Sequence, residues 1–289
     1  MTELHRLTLV YVSERLDRGE LNKRSAEVVR CKLRDFAHEV DTQPGRVNRR
    51  HVERWMARPG LSPAYRRARL SALRGFCQWC VIRGHMSKDP TLGLKAPPLP
   101  PYLPRSLPVP QVAQVVTHAP DARARVVLLL MAQEGLRRAE VAAVQLGDVD
   151  LCNLTLQVRG KGGQGRITGA VPLSTETARA VECYLLEVGH TAGPLIRSKV
   201  HPDRGITPHS LGEMVSRWMA DAGVKQAPGD GRSGHALRHS CANHLMDRGA
   251  TTEQVKAALR HQSIRSTEVY VRGRVEPLRD VMAGRRYLP

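Results

Sequence analysis

The sequence APPLPPYLPRSLPVP, residues 96–110, decides how the chain is organised, because seven of its fifteen residues are proline. Proline fixes the backbone φ angle and has no N–H donor, so this stretch can neither continue a helix nor donate regularly to a sheet. It is predicted to be an extended, semi-rigid connector. The 289-residue chain is therefore predicted to form two domains, residues 1–98 and 109–289, joined by a linker at 99–108.

The domain before the connector is predicted to be entirely helical. Its clearest helix is Ser62–Arg83, because Ser62 suits the N-cap, Pro63 suits the first helical position and Gly84 ends the pattern. Arginines lie opposite the apolar stripe of this helix and predict a contact with the DNA backbone; a merely solvated basic face is the alternative. The predicted contacts are Arg66, Arg67, Arg69 and Arg74. The other helices are predicted at Thr2–Asp17, Asn22–Val40 and Arg49–Ala57.

The domain after the connector combines helices with a few short strands. Strands are predicted at Gly147–Asp150, Leu154–Arg159 and Arg166–Pro172, with the glycine-rich loop GKGGQG (160–165) joining the last two as a hairpin. Ser210 and Glu213 are predicted to form a capping box. Helices are predicted at Val112–Ala119, Ala122–Gln133, Thr175–Glu187, Ser210–Ala222, Leu237–Arg248 and Thr252–Leu259. The fold class is thus mainly α with a small β-sheet: an all-helical domain followed by a mixed α+β domain.

Both domains are strongly basic. The chain has 45 Lys and Arg against 27 Asp and Glu, a formal net charge of +18. Residues 1–98 contain 20 basic and 10 acidic residues, a net of +10, and residues 99–289 contain the other 25 and 17, a net of +8. A basic excess spread over two domains favours a shared polyanion such as DNA, with a simply solvated surface as the alternative.

The lack of a long apolar stretch and of a signal peptide predicts a cytoplasmic protein without a membrane anchor. The densest apolar run, Val126–Ala132, is too short to span a bilayer, and the N-terminus has no signal-peptide pattern. The six cysteines are therefore expected to be reduced. Cys77 and Cys80 form a CxxC without a second pair, and the helical spacing of their apolar neighbours predicts core side chains rather than a zinc or redox site.

Four short motifs of the second domain carry reactive side chains. They are GLRRAEV (135–141), RGKGGQGR (159–166), HALRHS (235–240) and LRHQSIRSTEVYV (259–271). Each motif by itself is only weak evidence for a function. In HALRHS, for example, His235 and His239 share a helix face, which suits metal binding and ordinary packing alike. A zinc hydrolase would need a carboxylate between these histidines, where the chain has Ala236, Leu237 and Arg238. No metal site is predicted.

Together, the four motifs resemble those of the tyrosine recombinases, the family of phage integrases and Xer recombinases. GLRR-x-E, a lysine in a hairpin, H-x-L-R-H and a histidine nine residues before a tyrosine follow one another in the family's order. The helical first domain is similar to the family's core-binding domain, and the resemblance is to members without an additional arm-binding domain. It implies a catalytic set of Arg137, Lys161, His235, Arg238, His261 and Tyr270, with Glu140 in support.

The resemblance also implies what each of these residues does. Arg137 and Arg238 would clamp the phosphodiester, since guanidinium groups stay charged and bind phosphate oxygens in pairs, and Glu140 would orient Arg137. Tyr270 would attack phosphorus and form a 3′-phosphotyrosine intermediate. The three remaining roles are a general base for His235, a phosphate hydrogen bond for His261, and protonation of the departing 5′ oxygen for Lys161. No metal or other cofactor is needed.

Two positions depart from the family pattern. Arg260 stands where the family usually has glycine before the histidine, so the turn there is predicted to differ, and Arg260 is predicted to add a DNA contact. The return strand of the hairpin, RITGAVPL (166–173), is about two residues longer than expected for a short hairpin, which predicts a bulge at Gly169.

The sequence therefore predicts a site-specific DNA recombinase, of integrase or Xer type. Its partners would be double-stranded DNA with specific recombination sites and three further copies of itself, giving a homotetramer on synapsed DNA and a monomer when free. The reaction would take place in the cytoplasm, at the nucleoid or in a phage-infected bacterial cell. A type IB topoisomerase, which needs no paired sites, and a non-catalytic DNA-binding protein are the alternatives.

Overall fold

The computed structural model describes residues 2–99, 106–160, 167–227 and 230–260. The chain divides into two compact units, Met1–Tyr102 and Leu103–Pro289. The division falls within the proline-rich connector, of which residues 100–105 lie outside the described residues. Helices predominate, and the second unit contains a three-stranded sheet, so the predicted fold class is confirmed.

The described part of the first unit contains the helices α1 (Glu3–Asp17), α2 (Lys23–Val40), α3 (Arg49–Ala57) and α4 (Pro63–Ile82). Each helix begins directly after a polar residue whose side chain accepts a hydrogen bond from the backbone N–H three residues on. These N-caps are Thr2, Asn22, Asn48 and Ser62. Because the capping signals are local in sequence, all four helices begin and end within one residue of the predicted bounds.

The core of the first unit encloses the guanidinium of Arg69 and two thiols. Arg69 is 1% exposed; its guanidinium lies 3.9 Å from the centre of the Trp55 ring, donates to the Trp55 carbonyl over 3.0 Å and pairs with Asp35. Cys77 and Cys80 are fully buried, and burial raises the pKa of both thiols, that of Cys80 to about 12. The CxxC is thus part of the core, as predicted.

The second unit is built around a central apolar helix. Its helices are α5 (Val109–Thr117), α6 (Ala122–Ala132), α7 (Arg138–Ala143), α8 (Thr175–Val188), α9 (Pro208–Asp221), α10 (Gly234–Asp247) and α11 (Thr252–Leu259). The side chains of α6 are buried on nearly every side, so this helix forms the middle of the core. Among the described helices, none combines the length and apolar character that a bilayer crossing requires.

The sheet consists of β1 (Val149–Asp150), β2 (Thr155–Arg159) and β3 (Ile167–Pro172), paired antiparallel in that order. The pairing of β2 with β3 shifts by one residue, because Val158 faces Gly169 while the next residue of β2 faces Ile167. The extra residue on β3 is Thr168, so the bulge lies beside Gly169, one residue from its predicted position. At the base of the same hairpin, Arg159 donates to both carboxylate oxygens of Asp148, over 2.7 and 2.6 Å.

Three helix starts of the second unit differ from the prediction, and the first is that of α5, which begins at Val109, three residues before its predicted start at Val112. The N-cap of α9 is Thr207, whose side chain accepts from the Ser210 N–H over 3.1 Å, so the predicted capping box of Ser210 and Glu213 is wrong. The helix α10 begins at Gly234, three residues before its predicted start, with Ser233 as its N-cap. In α9 and α10 an earlier hydroxyl takes the capping position, and each helix gains most of a turn.

Candidate active site

The carboxylate of Glu140 organises the centre of the site. It lies on α7, is 4% exposed, and accepts from the Arg137 backbone N–H at 2.8 Å and from Arg137 Nη1 at 2.6 Å. Burial raises the pKa of this carboxyl, but the hydrogen bonds of Arg137 and the charges of Arg260 and Arg137 outweigh burial, so the pKa lies below its usual value. The ion pair that the sequence predicts between Arg137 and Glu140 is therefore present.

Arg238 lies on α10 beside this carboxylate. The residue is 5% exposed, and its guanidinium donates to the Gly135 carbonyl and to the Leu259 carbonyl, with Nη1 3.7 Å from Glu140 Oε2. One side chain thereby connects the loop before α7 with the end of α11. Gly135 has a φ of +63°, and a Cβ there would lie 2.5 Å from Leu259 Cδ2, so this position requires glycine.

His235 lies in the first turn of α10, close to the arginines. Although the residue is exposed, the protein around its ring partly desolvates it, and this lowers its pKa; the charges of Arg138, Arg238 and Arg137 lower it further. The imidazole is therefore neutral at physiological pH and can accept a proton. His239, one turn further along, has its pKa lowered to about 4 by burial and by His235 and Arg238.

Two neighbouring histidines of α10 have environments typical of packing or of binding to the backbone. His239 is half-buried on α10, and His244 Nε2 lies 3.2 Å from the Leu107 carbonyl oxygen. Within residues 2–99, 106–160, 167–227 and 230–260, no three His, Cys, Asp or Glu side chains form a group that could hold a metal ion.

Arg138 is a feature of the site whose placement the sequence does not reveal. Its side chain runs between two glycines, so that a Cβ on Gly212 would lie 3.0 Å from Arg138 Cζ and one on Gly234 would lie 3.5 Å from Arg138 Cγ. Arg138 also supplies the largest charge effect on the pKa of His235. The sequence signal that could have indicated this placement is the pair of glycines, Gly212 on α9 and Gly234 on α10.

The predicted DNA-contact arginines of α4 have different environments. Arg67 and Arg74 are exposed, and they donate to the backbone carbonyls of Pro97 and Leu94. Arg66 is half-buried and donates to the Arg58 carbonyl over 3.2 Å. The prediction that Arg69 contacts DNA is corrected, because its guanidinium is enclosed by the core of the first unit and cannot reach a phosphate.

The predicted DNA contact of Arg260 is also corrected. Its side chain is 10% exposed, and its Nη2 donates to Glu140 Oε2 over 2.9 Å, so it is committed to the protein interior rather than to a DNA contact. The turn itself is the one that glycine would form, since Arg260 caps α11 with φ 54° and ψ 47°. Lys161, His261 and Tyr270 lie outside the described residues.

The comparisons with known proteins agree with these motifs. A model described as the phage integrase family matches residues 105–276. Tyrosine recombinase XerC 2 of Ralstonia nicotianae is 30% identical over 276 residues, which cover 88% of this chain and 75% of the relative. The chain belongs to the phage integrase family. Tyrosine recombinase XerD of Xanthomonas axonopodis pv. citri is a further relative of this integrase-family chain, 33% identical over 237 residues, covering 75% of this chain and 74% of the relative.

Solved structures show the same fold. The Tn1549 transposon integrase in complex with transposon right end DNA has a TM-score of 0.76 at 16% identity and covers 96% of this chain and 98% of that one. A lambda integrase dimer bound to a COC′ core site has a TM-score of 0.77 at 16% identity, covering 94% and 78%. The predicted family and enzyme class are confirmed: this integrase-family chain is a tyrosine-type site-specific DNA recombinase.

Proposed function

We propose that this recombinase cuts and rejoins DNA through a 3′-phosphotyrosine on Tyr270, with the phosphodiester held by Arg137 and Arg238. The observation that carries the proposal is the arrangement around Glu140, where two arginines from separate motifs converge on one buried carboxylate. Arg260 also pairs with this carboxylate, so one negative charge faces three positive ones. The surplus positive charge suits a phosphodiester whose negative charge grows in the transition state.

The two arginines are suited to different parts of that task. The Arg137 side chain is 40% exposed, and within the described residues Glu140 is its only hydrogen-bond partner, so its other N–H groups are available to phosphate oxygens. Arg238 is almost buried and donates to two carbonyls. We infer that Arg137 makes the larger contact with DNA, while Arg238 adds charge and keeps the loop around Gly135 in place.

Proton transfers would be carried by the residues that match the family's motifs. His235 would accept the Tyr270 proton, which fits a histidine whose pKa is lowered and which is therefore neutral. Lys161 would protonate the departing 5′ oxygen, and His261 would hydrogen-bond the phosphate. The phosphodiester energy is retained in the protein–DNA bond, so we expect neither a metal nor a nucleotide to be needed.

The remaining features of the proposal concern partners. Arg67 and Arg74 on α4 present exposed guanidinium groups that suit DNA phosphates, and Arg66 lies beside them. We propose that four copies assemble on two paired recombination sites and that the free chain is a monomer. DNA as substrate would place the reaction in the cytoplasm.

The test is covalent adduct formation on a nicked suicide duplex, whose sequence is chosen by footprinting the full chain on DNA that flanks its gene. The wild-type chain is expected to give a protein–DNA adduct on a denaturing gel, in excess EDTA as well as without it. Tyr270→Phe should bind the duplex and give no adduct. Tyr287→Phe is the matched control and should behave as wild type.

Each alternative predicts a different result. An adduct that persists in Tyr270→Phe and is lost in Tyr287→Phe would reassign the nucleophile and overturn the proposal. Loss of the adduct in EDTA would refute a metal-free mechanism. Relaxation of supercoiled DNA without any preferred site would identify a type IB topoisomerase activity, and binding without any adduct would identify a non-catalytic DNA-binding protein.

A further inference from the structure

Arg260 occupies a backbone conformation that disfavours its own side chain. It caps α11 in the left-handed region, with φ 54° and ψ 47°, where glycine is free of the Cβ clash that other residues suffer. Nothing in the capping turn itself calls for arginine, because the cap is made by the backbone N–H, which donates to the Ala257 carbonyl over 3.0 Å. An arginine at this position is therefore explained by what its side chain contacts.

The side chain connects three parts of the catalytic unit. Its Nη2 donates to Glu140 Oε2 over 2.9 Å, and its Nη1 donates to the Ala258 carbonyl over 2.9 Å. Its aliphatic stem packs over the bulge of β3, since a Cβ on Gly169 would lie 3.6 Å from Arg260 Cδ. The end of α11, the carboxylate behind Arg137 and the return strand of the hairpin are thus joined through one residue.

The ion pair bears directly on the geometry of Glu140. Its Oε2 accepts from both the Arg137 backbone N–H and Arg260 Nη2, while its Oε1 accepts from Arg137 Nη1. With both oxygens bound, the carboxylate has a fixed orientation, and the Arg137 guanidinium is fixed with it. Without Arg260, Oε2 would keep the Arg137 N–H and lose its closest charged partner, since Arg238 Nη1 is 3.7 Å away.

We propose that Arg260 is a positioning residue, which acts through Glu140 to fix the orientation of Arg137 for the phosphodiester. This inference rests on the proposed function, in which Arg137 binds the phosphate. It differs from the DNA contact that the sequence predicts for Arg260, because the guanidinium is directed at an internal carboxylate.

The test uses Arg260→Gly, because glycine suits the left-handed cap, and the relief of backbone strain offsets part of the stability that is lost with the ion pair to Glu140. Single-turnover cleavage of the suicide duplex at saturating DNA is expected to slow by about 10- to 100-fold, the scale of a small misplacement of a catalytic group. The affinity for DNA should stay close to wild type. Asp41→Gly is the matched control: Asp41 also caps a helix in the left-handed region, but in the first unit, and its replacement should leave the rate unchanged.

Other results would overturn the inference. A weaker affinity whose salt dependence loses about one phosphate contact, with an unchanged rate at saturation, would make Arg260 a DNA contact. If Arg260→Gly leaves both the cleavage rate and the DNA affinity unchanged, the Arg260 side chain has only a structural role. In a Glu140→Gln background, Arg260→Gly should slow cleavage little further, because the effect of Arg260 passes through Glu140. If the double variant is instead slowed by the product of the two single-variant factors, Arg260 does not act through Glu140.

A second variant covers the case in which Arg260→Gly proves less stable than wild type. Arg260→Lys keeps the charge and should recover part of the rate that Arg260→Met loses, whereas equal rates for these two variants would refute an electrostatic role. The wild-type chain is the reference throughout. If it forms no adduct, the proposed function fails; if it does and the variants behave otherwise than expected, only the role of Arg260 fails.

Discussion

Replacing Gly135 by alanine tests how tightly the arginine loop packs on α11. Gly135 has a φ of +63°, and an added Cβ would lie 2.5 Å from Leu259 Cδ2 and 3.1 Å from Cys241 Sγ. Both neighbours are buried, so neither can move into solvent. The substitution therefore combines a disfavoured backbone angle with overpacking.

The magnitude follows from separating these two effects. A left-handed backbone costs an alanine about 1 kcal/mol of unfolding free energy, and overpacking a filled core adds about 1–3 kcal/mol. Gly249 isolates the first effect, because it has a φ of +86° and no atom within 4 Å of an added Cβ. Gly135→Ala should thus destabilise the second unit by about 1–3 kcal/mol more than Gly249→Ala.

The assay must report on the second unit alone. The chain has three tryptophans, at positions 55, 79 and 218, and only Trp218 belongs to the second unit. With 5-fluorotryptophan incorporated, the fluorine resonance of Trp218 follows urea unfolding of that unit within the full chain. Equal free energies of unfolding for Gly135→Ala and Gly249→Ala would refute the tight packing. Leu259→Ala should also be less destabilising in the Gly135→Ala background than in wild type, since it removes the clashing methyl.

Three further predictions concern other parts of the molecule. Because the lowered pKa of His235 keeps its imidazole neutral as the pH falls, Arg138→Met should raise that pKa and move the acid limb of the cleavage rate to higher pH; an unmoved limb in the pH profile would contradict this. Arg69→Met should destabilise the first unit by about 2–4 kcal/mol in urea unfolding, since it removes the cation–π contact with Trp55 and the ion pair of a buried guanidinium with the partly exposed Asp35, while the salt dependence of DNA binding stays unchanged. Thr207→Ala should cost about 1 kcal/mol of stability as the loss of an N-cap, and Ser210→Ala should cost clearly less if Thr207 is the true cap.

Features set by neighbouring residues were predictable from the sequence. The helices of the first unit begin within one residue of their predicted starts, and Ser62 is the predicted N-cap of α4, since a cap is satisfied within one turn. The pairing of Arg137 with Glu140 is equally local, at a spacing of three residues. The bulge beside Gly169 follows from the length of one strand against its neighbour. Where two hydroxyls compete for one cap, as at α9, the local pattern does not decide between them.

The sequence alone determined the family, the two-part organisation and the order of the motifs, because these depend on residue identity and spacing along the chain. Only the tertiary structure decided which arginines are available to DNA. Arg69 and Arg260 are predicted from the sequence to contact DNA, yet each is drawn inward by a partner distant in the chain, Asp35 for one and Glu140 for the other. The helical spacing of Arg69 from Leu73, Phe76 and Cys80 already places it on the buried face of α4. Which distant partner satisfies a buried charge depends on how the elements pack, and no pattern within a single helix specifies it.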